Sequence, residues 1–341
     1  MPRGHRLESC RANPNSGLEP QGAARGYNGK RMITLNTERG LLRIESWDDI
    51  ESVPGYSANI DPKSVKLKEI IGSYTFDVLI PCGLSTCHQP HGNGFLVAAA
   101  DGRVTNIGRI CGKTHFSVEF TQMSRVYLAA VRAQQNREFL GELKNRLPTI
   151  AAEVSAIRSG QYGAGWINTR INQLSGKSAS LPMPIVNAVR QAVRRGDGTL
   201  MIERAATKQE REDRAAAVDV KGLEHMRRNV AFVIEDRVGQ LEGFAALAPG
   251  NGLREVLAVI EPFLAALPEA DVDSLPDKQL RELSKVGGEL DAHLERLRTL
   301  IAAGRRLLVR QNIQQLARFA TSRAEEKLFD QFLRDLPQQG S

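Results

Sequence analysis

The hydrophobic and polar positions divide the chain into a strand-like N-terminal part and a longer helical part. In residues 32–110 short apolar runs are separated by turn residues, and apolar and charged side chains alternate in residues 65–68. Successive side chains of a strand point to opposite faces, so this period of two predicts half-buried β-strands. Asp101-Gly102 separates two of the apolar runs. This dipeptide is typical of a β-hairpin in which both turn positions have positive φ.

Helical periodicity replaces the strand pattern after Gly112, where apolar residues begin to recur at spacings of three and four. We expect a helical connector over residues 117–158. Pro148 lacks a backbone N–H group, so the first helix should end there and a shorter helix should follow it.

A Gly/Ser-rich stretch, residues 159–184, interrupts the helical pattern and predicts a hinge. It opens a segment, 159–220, in which we also expect a basic helix at 185–195 and a strand at 199–203. This segment should separate the helical connector from the helices that follow.

Residues 221–337 are expected to be helical almost throughout, apart from breaks at proline-containing stretches. The last long helix carries a heptad-like row of apolar residues: Leu283, Leu290, Leu294, Leu297, Ile301 and Leu308. Gly287 and Gly304 interrupt the row, and a sustained coiled coil needs about three or four clean heptads. An intramolecular helical hairpin or bundle is therefore favoured over a dimeric coiled coil.

Residues 1–31 are rich in glycine, proline, asparagine and arginine and have no hydrophobic period, which predicts a disordered tail. Met32 opens the first patterned stretch, so an upstream start codon is a second explanation for this tail. The other segments together predict an α+β fold that is predominantly α. In this fold a small β-rich domain, residues 32–116, precedes a long helical region.

The composition is typical of a soluble protein, with 41% hydrophobic and 25% charged residues. No apolar run approaches the roughly 18 residues that a membrane-spanning helix needs. The N-terminal residues lack the apolar core of a signal peptide. The four cysteines are too few and too clustered for a disulfide framework. We therefore expect a cytoplasmic protein in a reducing environment.

Cysteine and histidine side chains are concentrated in one short stretch. The run reads Cys82-x4-Cys87-His88-x2-His91 and, after about twenty residues, Cys111-x3-His115. Paired thiolate and imidazole ligands at short spacings are typical of tetrahedral zinc sites. We predict one Zn²⁺ ion bound by Cys82, Cys87, Cys111 and His115, with His88 and His91 as alternate ligands.

A ligand-bearing turn, a hairpin and a second ligand pair at a helix start follow one another in residues 82–116. This order resembles the treble-clef and zinc-ribbon class of zinc-binding modules, which implies a structural ion with four protein ligands. The resemblance covers about a tenth of the chain. It departs from the usual pattern because four residues, rather than two, separate Cys82 from Cys87 and because the last ligand is a histidine.

The cluster has two other interpretations. The cysteines could be buried apolar thiols, but that does not explain why histidines accompany them beside Gly-rich turns. A catalytic zinc usually has a nearby carboxylate as general base, as in His-Glu-x-x-His. The segment from His88 to His91 contains no carboxylate, and Pro90 opposes the helix that would align the two histidines. Structural zinc is therefore the favoured hypothesis, and no catalytic residue is predicted.

The basic character of the chain is concentrated in the tail and in residues 144–208, which contain ten basic and three acidic side chains. Arg190, Arg194 and Arg195 lie on or just beyond one short helix, and we predict them as nucleic-acid contacts. A basic helix followed by a strand also occurs in winged-helix domains, but a solvated basic face is the simpler interpretation.

These patterns favour a non-enzymatic, zinc-stapled scaffold or adaptor that binds DNA or RNA through residues 144–208. The alternative is an assembly factor that contacts a protein partner, or itself, through the C-terminal helices. A metal-dependent hydrolase is the third hypothesis. The resemblance to zinc modules does not decide among them, because one fold serves many functions.

Overall fold

The computed structural model describes residues 32–37, 40–44, 47–51, 53–216 and 233–338. The predicted disordered tail, residues 1–31, and the segment 217–232 lie outside these ranges. The described part has an α+β fold in which helices predominate, so the predicted fold class is confirmed. Within it, no helix combines the length and the apolar character needed to cross a membrane.

The N-terminal strands form one antiparallel five-stranded sheet in the order β2-β1-β3-β4-β5. The strands are β1 (Met32–Thr37), β2 (Gly40–Ile44), β3 (Leu67–Pro81), β4 (Pro90–Ala99) and β5 (Val104–Gly108), and a single helical turn, α1 (Asp48–Glu51), lies between β2 and β3. The sequence predicted each of these strands from its apolar positions.

Both faces of this sheet are covered, which explains why β4 reads as a continuous apolar run. Phe95 and Val97 pack on one face, against side chains of the following helix such as Phe120 and Tyr127. Leu96 packs on the other face with Ile50 and Trp47, among other residues. Alternate positions of the strand are therefore buried in different clusters.

Four residues, 100–103, join β4 to β5. Ala99 accepts a hydrogen bond from the Gly102 N–H, and its own N–H donates to the Arg103 carbonyl. Gly102 has φ +87°, whereas Asp101 is not among the residues with positive φ. The hairpin is thus where the sequence placed it, but only one turn position has the left-handed conformation.

The helix that follows, α2 (Arg109–Ser159), is interrupted once, at Ser117, whose φ is 47° and ψ is −124°. The first two turns are thereby separated from a long second part. That second part continues through Pro148, so the predicted helix end at this proline is wrong. Leu147, Ile150 and Val154 are all at most 5% exposed, and this apolar burial offsets the backbone hydrogen bond that the proline lacks.

The remaining elements are mostly helices. They are α3 (Ala164–Leu174), α4 (Met183–Arg195), β6 (Thr199–Ala205), α5 (Lys208–Ala216), β7 (Val233–Gln240), α6 (Leu253–Glu269), α7 (Asp277–Leu307), α8 (Arg310–Gln314) and α9 (Arg323–Arg334). Two predictions are wrong in this region. Helix α3 occupies the stretch expected to be an irregular hinge, and β7 lies where only helices were expected, paired antiparallel with β6.

The described residues form two compact units. One comprises residues up to Leu143 together with Asp271–Gly288, and the other comprises Lys144–Ala270 together with the residues from Glu289 onward. The heptad-like row of α7 runs into the second unit, where Leu290, Leu294 and Leu297 are at most 3% exposed. This part of the apolar stripe is therefore covered by the chain's own packing.

Candidate metal centre

Three cysteines from three different places in the first unit meet beside the sheet. Cys82 follows the end of β3, Cys87 lies in the loop between β3 and β4, and Cys111 lies in the first turn of α2. Their sulfur atoms all lie within 4.8 Å of one another, and the Cys87 and Cys111 sulfurs are 3.1 Å apart. These three thiols could therefore hold a metal ion.

Burial distinguishes the three cysteines. Cys82 is 0% and Cys111 is 7% exposed, whereas Cys87 is half-buried. They pack in one apolar cluster with Leu84, Phe95, Ile107 and Phe120, among others. An ion among these sulfurs would be screened from water on the side of the sheet and approachable from the side of Cys87.

The loop that carries Cys82 and Cys87 is pinned by backbone hydrogen bonds on both sides. The Gly83 N–H donates to the Asn106 carbonyl, and the Ile60 N–H donates to the Gly83 carbonyl, at 2.8 and 2.9 Å. A Cβ atom at residue 83 would lie only 2.1 Å from the Thr105 hydroxyl oxygen. Glycine is therefore required for this close approach.

The first turn of α2 is held against the same cluster by a second close approach. A Cβ atom at Gly112 would lie 2.3 Å from the Phe120 ring. Phe120 is fully buried and packs edge-on against Phe95, with ring centroids 5.6 Å apart. The break at Ser117 precedes Phe120 and lets it reach back across Gly112. Cys111 is thus fixed beside the other two cysteines.

Burial raises the pKa of the Cys82 thiol, and the N–H groups of Leu84 and Gly108 oppose this rise because they bond the sulfur. Burial also raises the pKa of Cys111, and the neighbouring Cys87 adds to that effect. Three thiolates so close together would repel one another in a desolvated site. A bound cation supplies the charge that stabilises them as thiolates.

The structure places the three predicted histidines differently. His115 is exposed and is not part of the three-residue group. The Nδ1 atom of His88 lies 3.1 Å from the Cys82 carbonyl oxygen, and His88 has a positive φ of 50°. In His91, Nδ1 lies 3.1 Å from the Gln89 carbonyl and Nε2 lies 2.6 Å from the Tyr74 hydroxyl.

A buried polar network next to the cysteines was not predicted from the sequence. Asn106 is 0% exposed. Its amide donates to the Pro81 carbonyl and to the Tyr74 hydroxyl, and its carbonyl oxygen accepts from the Tyr56 hydroxyl. A carbonyl oxygen can only accept, so His91 Nδ1 carries the proton and Tyr74 donates to Nε2. Both ring nitrogens of His91 are thereby engaged.

The basic segment 144–208 is largely neutralised by carboxylates from elsewhere in the second unit. Six of its basic side chains form ion pairs: Arg146 with Asp291, Arg158 with Glu261, Arg170 with Asp335, Arg195 with Glu235, Arg204 with Glu210 and Asp236, and Lys208 with Glu212. Every one of these carboxylates lies beyond residue 208. The sequence could not show this compensation, because it depends on contacts between distant residues.

The three predicted nucleic-acid contacts therefore fall into two classes. Arg195 is engaged, with its guanidinium 2.7 Å from Glu235. Arg190 and Arg194 have no carboxylate within ion-pair distance among the residues that the structure describes. Arg190 instead donates from Nε to the Ser175 carbonyl at 3.1 Å. Only two of the three arginines thus have guanidinium groups available to an anion.

Comparison of the chain with protein-family models, with curated proteins and with solved structures found no match.

Proposed function

We propose that this protein is a non-enzymatic scaffold or adaptor whose N-terminal domain is stapled by one structural Zn²⁺ ion. The observation that carries the proposal is the convergence of the Cys82, Cys87 and Cys111 sulfurs to within 4.8 Å. Thiolate-rich sites with tetrahedral geometry are characteristic of structural zinc. The order of loop, hairpin and helix around them supports the treble-clef-like interpretation. Reduced thiols are needed, which fits a cytoplasmic location.

His115 is the proposed fourth ligand. It lies four residues after Cys111, and both precede the break at Ser117, so the two side chains share one face of the same helical segment. Because His115 is exposed, its imidazole can change rotamer with little loss of packing. His88 remains the alternate, since its Nε2 atom is left to bind an ion when Nδ1 donates to Cys82.

Elemental analysis of protein purified without chelator tests this proposal, and we expect one zinc per chain. A stoichiometry near zero would overturn it. His115→Ala should weaken zinc affinity in a competition titration, and His91→Ala serves as the matched control because both of its ring nitrogens have other partners. If His88→Ala weakens zinc binding and His115→Ala does not, the fourth ligand is His88.

A second part of the proposal concerns polyanions. We propose that Arg190 and Arg194, rather than the basic segment as a whole, contact DNA or RNA. The support is that these guanidinium groups lack carboxylate partners among the described residues, whereas most of the segment is ion-paired. The test is fluorescence anisotropy with single- and double-stranded DNA and RNA. Absence of binding to all four, even at low salt, would overturn this part.

A further inference from the structure

Arg190 and Arg194 line one concave groove in the second unit, which we call the α4 groove. Ser175 and Asn187 complete its polar side, and Val189, Val193 and Leu247 form its apolar wall. Its volume is about 440 Å³. Sites for small organic ligands typically span roughly 300 to 1,000 Å³ and combine an apolar lining with a few polar groups. The groove therefore has the size and lining of a small-ligand site.

The Arg190 guanidinium is held in place by the loop that follows α3. Its Nε donates to the Ser175 carbonyl, which leaves the two Nη groups to bind a ligand. Gly176 has φ +73°, and a Cβ atom there would lie 2.7 Å from Arg190 Nη2 and 2.5 Å from Val186 Cγ1. Glycine at 176 thus makes room for the arginine head, which is positioned before any ligand arrives.

Arg194 lies one helical turn after Arg190 on the same face of α4, so two positive charges are neighbours. Like charges at this spacing repel, and no carboxylate among the described residues relieves the repulsion. The adjacent Arg195, by contrast, points to Glu235. An anion held between the two guanidinium groups would remove the repulsion and accept charge-assisted hydrogen bonds from both.

We propose that the α4 groove binds a phosphomonoester, that is, a terminal phosphate on a compact group of about nucleotide size. This inference rests on the proposed polyanion contact and narrows it to one chemical class. A phosphomonoester carries a charge of about −2 near neutral pH, which matches two guanidinium groups, whereas each diester of a nucleic-acid backbone carries −1. The wall of Val189, Val193 and Leu247 then covers the organic part.

Two sources supply this chemistry, a free nucleotide and the 5′-phosphorylated end of a strand, and calorimetry with the full chain distinguishes them. The ligands are adenosine 5′-monophosphate, adenosine, and a single-stranded oligonucleotide with and without a 5′-phosphate. We expect the phosphorylated ligands to bind and adenosine not to bind. If only the phosphorylated oligonucleotide binds, the source is a strand end.

Arg194→Ala should weaken binding of the phosphorylated ligand by roughly tenfold or more, because it removes charge-assisted hydrogen bonds. Arg195→Ala is the matched control: it removes the same charge from the next residue and should change affinity by less than about twofold. Melting temperatures of both variants verify that they fold. An equal loss of affinity in the two variants would show a general charge effect and would overturn the proposal that the ligand binds in the α4 groove.

The remaining outcomes separate this inference from the proposed function. Equal binding of the two oligonucleotides overturns the terminal-phosphate inference and leaves the polyanion contact standing. Binding of adenosine 5′-monophosphate without binding of any oligonucleotide supports a phosphomonoester site in the α4 groove and overturns the nucleic-acid proposal. Binding of none of the phosphorylated ligands overturns the inference whatever unphosphorylated nucleic acids do.

Discussion

The sulfur atoms of Cys87 and Cys111 lie 3.1 Å apart, although 24 positions separate the two residues and they belong to different elements. The β4–β5 hairpin closes that separation, and Cys82 completes the group from the end of β3. Residues from the loop, from the end of β3 and from the first turn of the helix therefore meet at one point.

Removal of the proposed Zn²⁺ ion should destabilise the N-terminal domain. An ion present at about a thousand times its dissociation constant contributes about 4 kcal/mol to the free energy of unfolding. Cys111→Ser should therefore melt well below wild type in the presence of zinc and should no longer respond to a chelator. Cys10→Ser is the control, since Cys10 lies in the predicted disordered tail and outside the Cys/His run of residues 82–115. Equal melting temperatures of wild type with and without chelator would contradict the prediction.

Gly83→Ala should lower the free energy of unfolding by about 1–3 kcal/mol, because the added methyl group in the loop that carries Cys82 and Cys87 would overlap the Thr105 hydroxyl. Gly141→Ala is the opposite case. Nothing lies within 4 Å of a Cβ atom there, and replacing a helical glycine by alanine should stabilise by about 0.5–1 kcal/mol. Chemical denaturation measures both. An unchanged free energy of unfolding in Gly83→Ala would show that the loop shifts to accommodate the methyl group without loss of stability.

Asn106→Ala should lower the free energy of unfolding by about 1–3 kcal/mol. The substitution leaves the Pro81 carbonyl and the Tyr56 hydroxyl without the partner that Asn106 supplies. Asn145→Ala, at an exposed position of α2, should be close to neutral. Denaturant midpoints of the two variants provide the comparison. Similar midpoints would indicate that water replaces the lost hydrogen bonds.

Alkaline pH should destabilise the fold through Tyr56. Burial, with smaller contributions from the charges of Glu51 and Cys82, raises the pKa of this hydroxyl to about 12. The unfolded chain loses the proton near pH 10, and the folded chain keeps it. The stabilisation is thus complete below pH 10 and is lost as pH rises from 10 towards 12. Absorbance at 295 nm measures tyrosine ionisation as pH rises. Subtracting the titration curve of Tyr56→Phe from that of wild type gives the contribution of Tyr56. A difference centred near pH 10 would contradict the assignment.

The sequence predicted what depends on local pattern. Strand alternation, the Asp101-Gly102 turn and the helical spacing after Gly112 each reflect neighbours along the chain, and the structure contains the corresponding elements. The spacing of Cys82, Cys87 and Cys111 likewise predicted a group, because a hairpin of that length returns the chain to its starting point.

What the sequence did not predict depends on contacts between distant residues. An asparagine within a strand gives no sign that it will be fully buried, as Asn106 is, since its partners come from residues 56, 74 and 81. Strand β7 lies in a region predicted to be helical because its partners in β6 are distant in sequence, from 28 positions away (Ala205↔Val233) to 41 (Thr199↔Gln240). The net charge of residues 144–208 likewise gave no sign that carboxylates beyond residue 208 pair with six of its basic side chains.

The position of the three cysteines in the sequence also affects the order of events during synthesis. The three cysteines and the buried side chains around them lie between Leu67 and Val131, so all of them leave the ribosome before the C-terminal half is made. Contacts of such short sequence separation form early. The ion pair of Arg170 with Asp335, by contrast, joins residues 165 positions apart and cannot form until residue 335 has been synthesised. The three thiols that could hold a metal ion are therefore available early in folding rather than late.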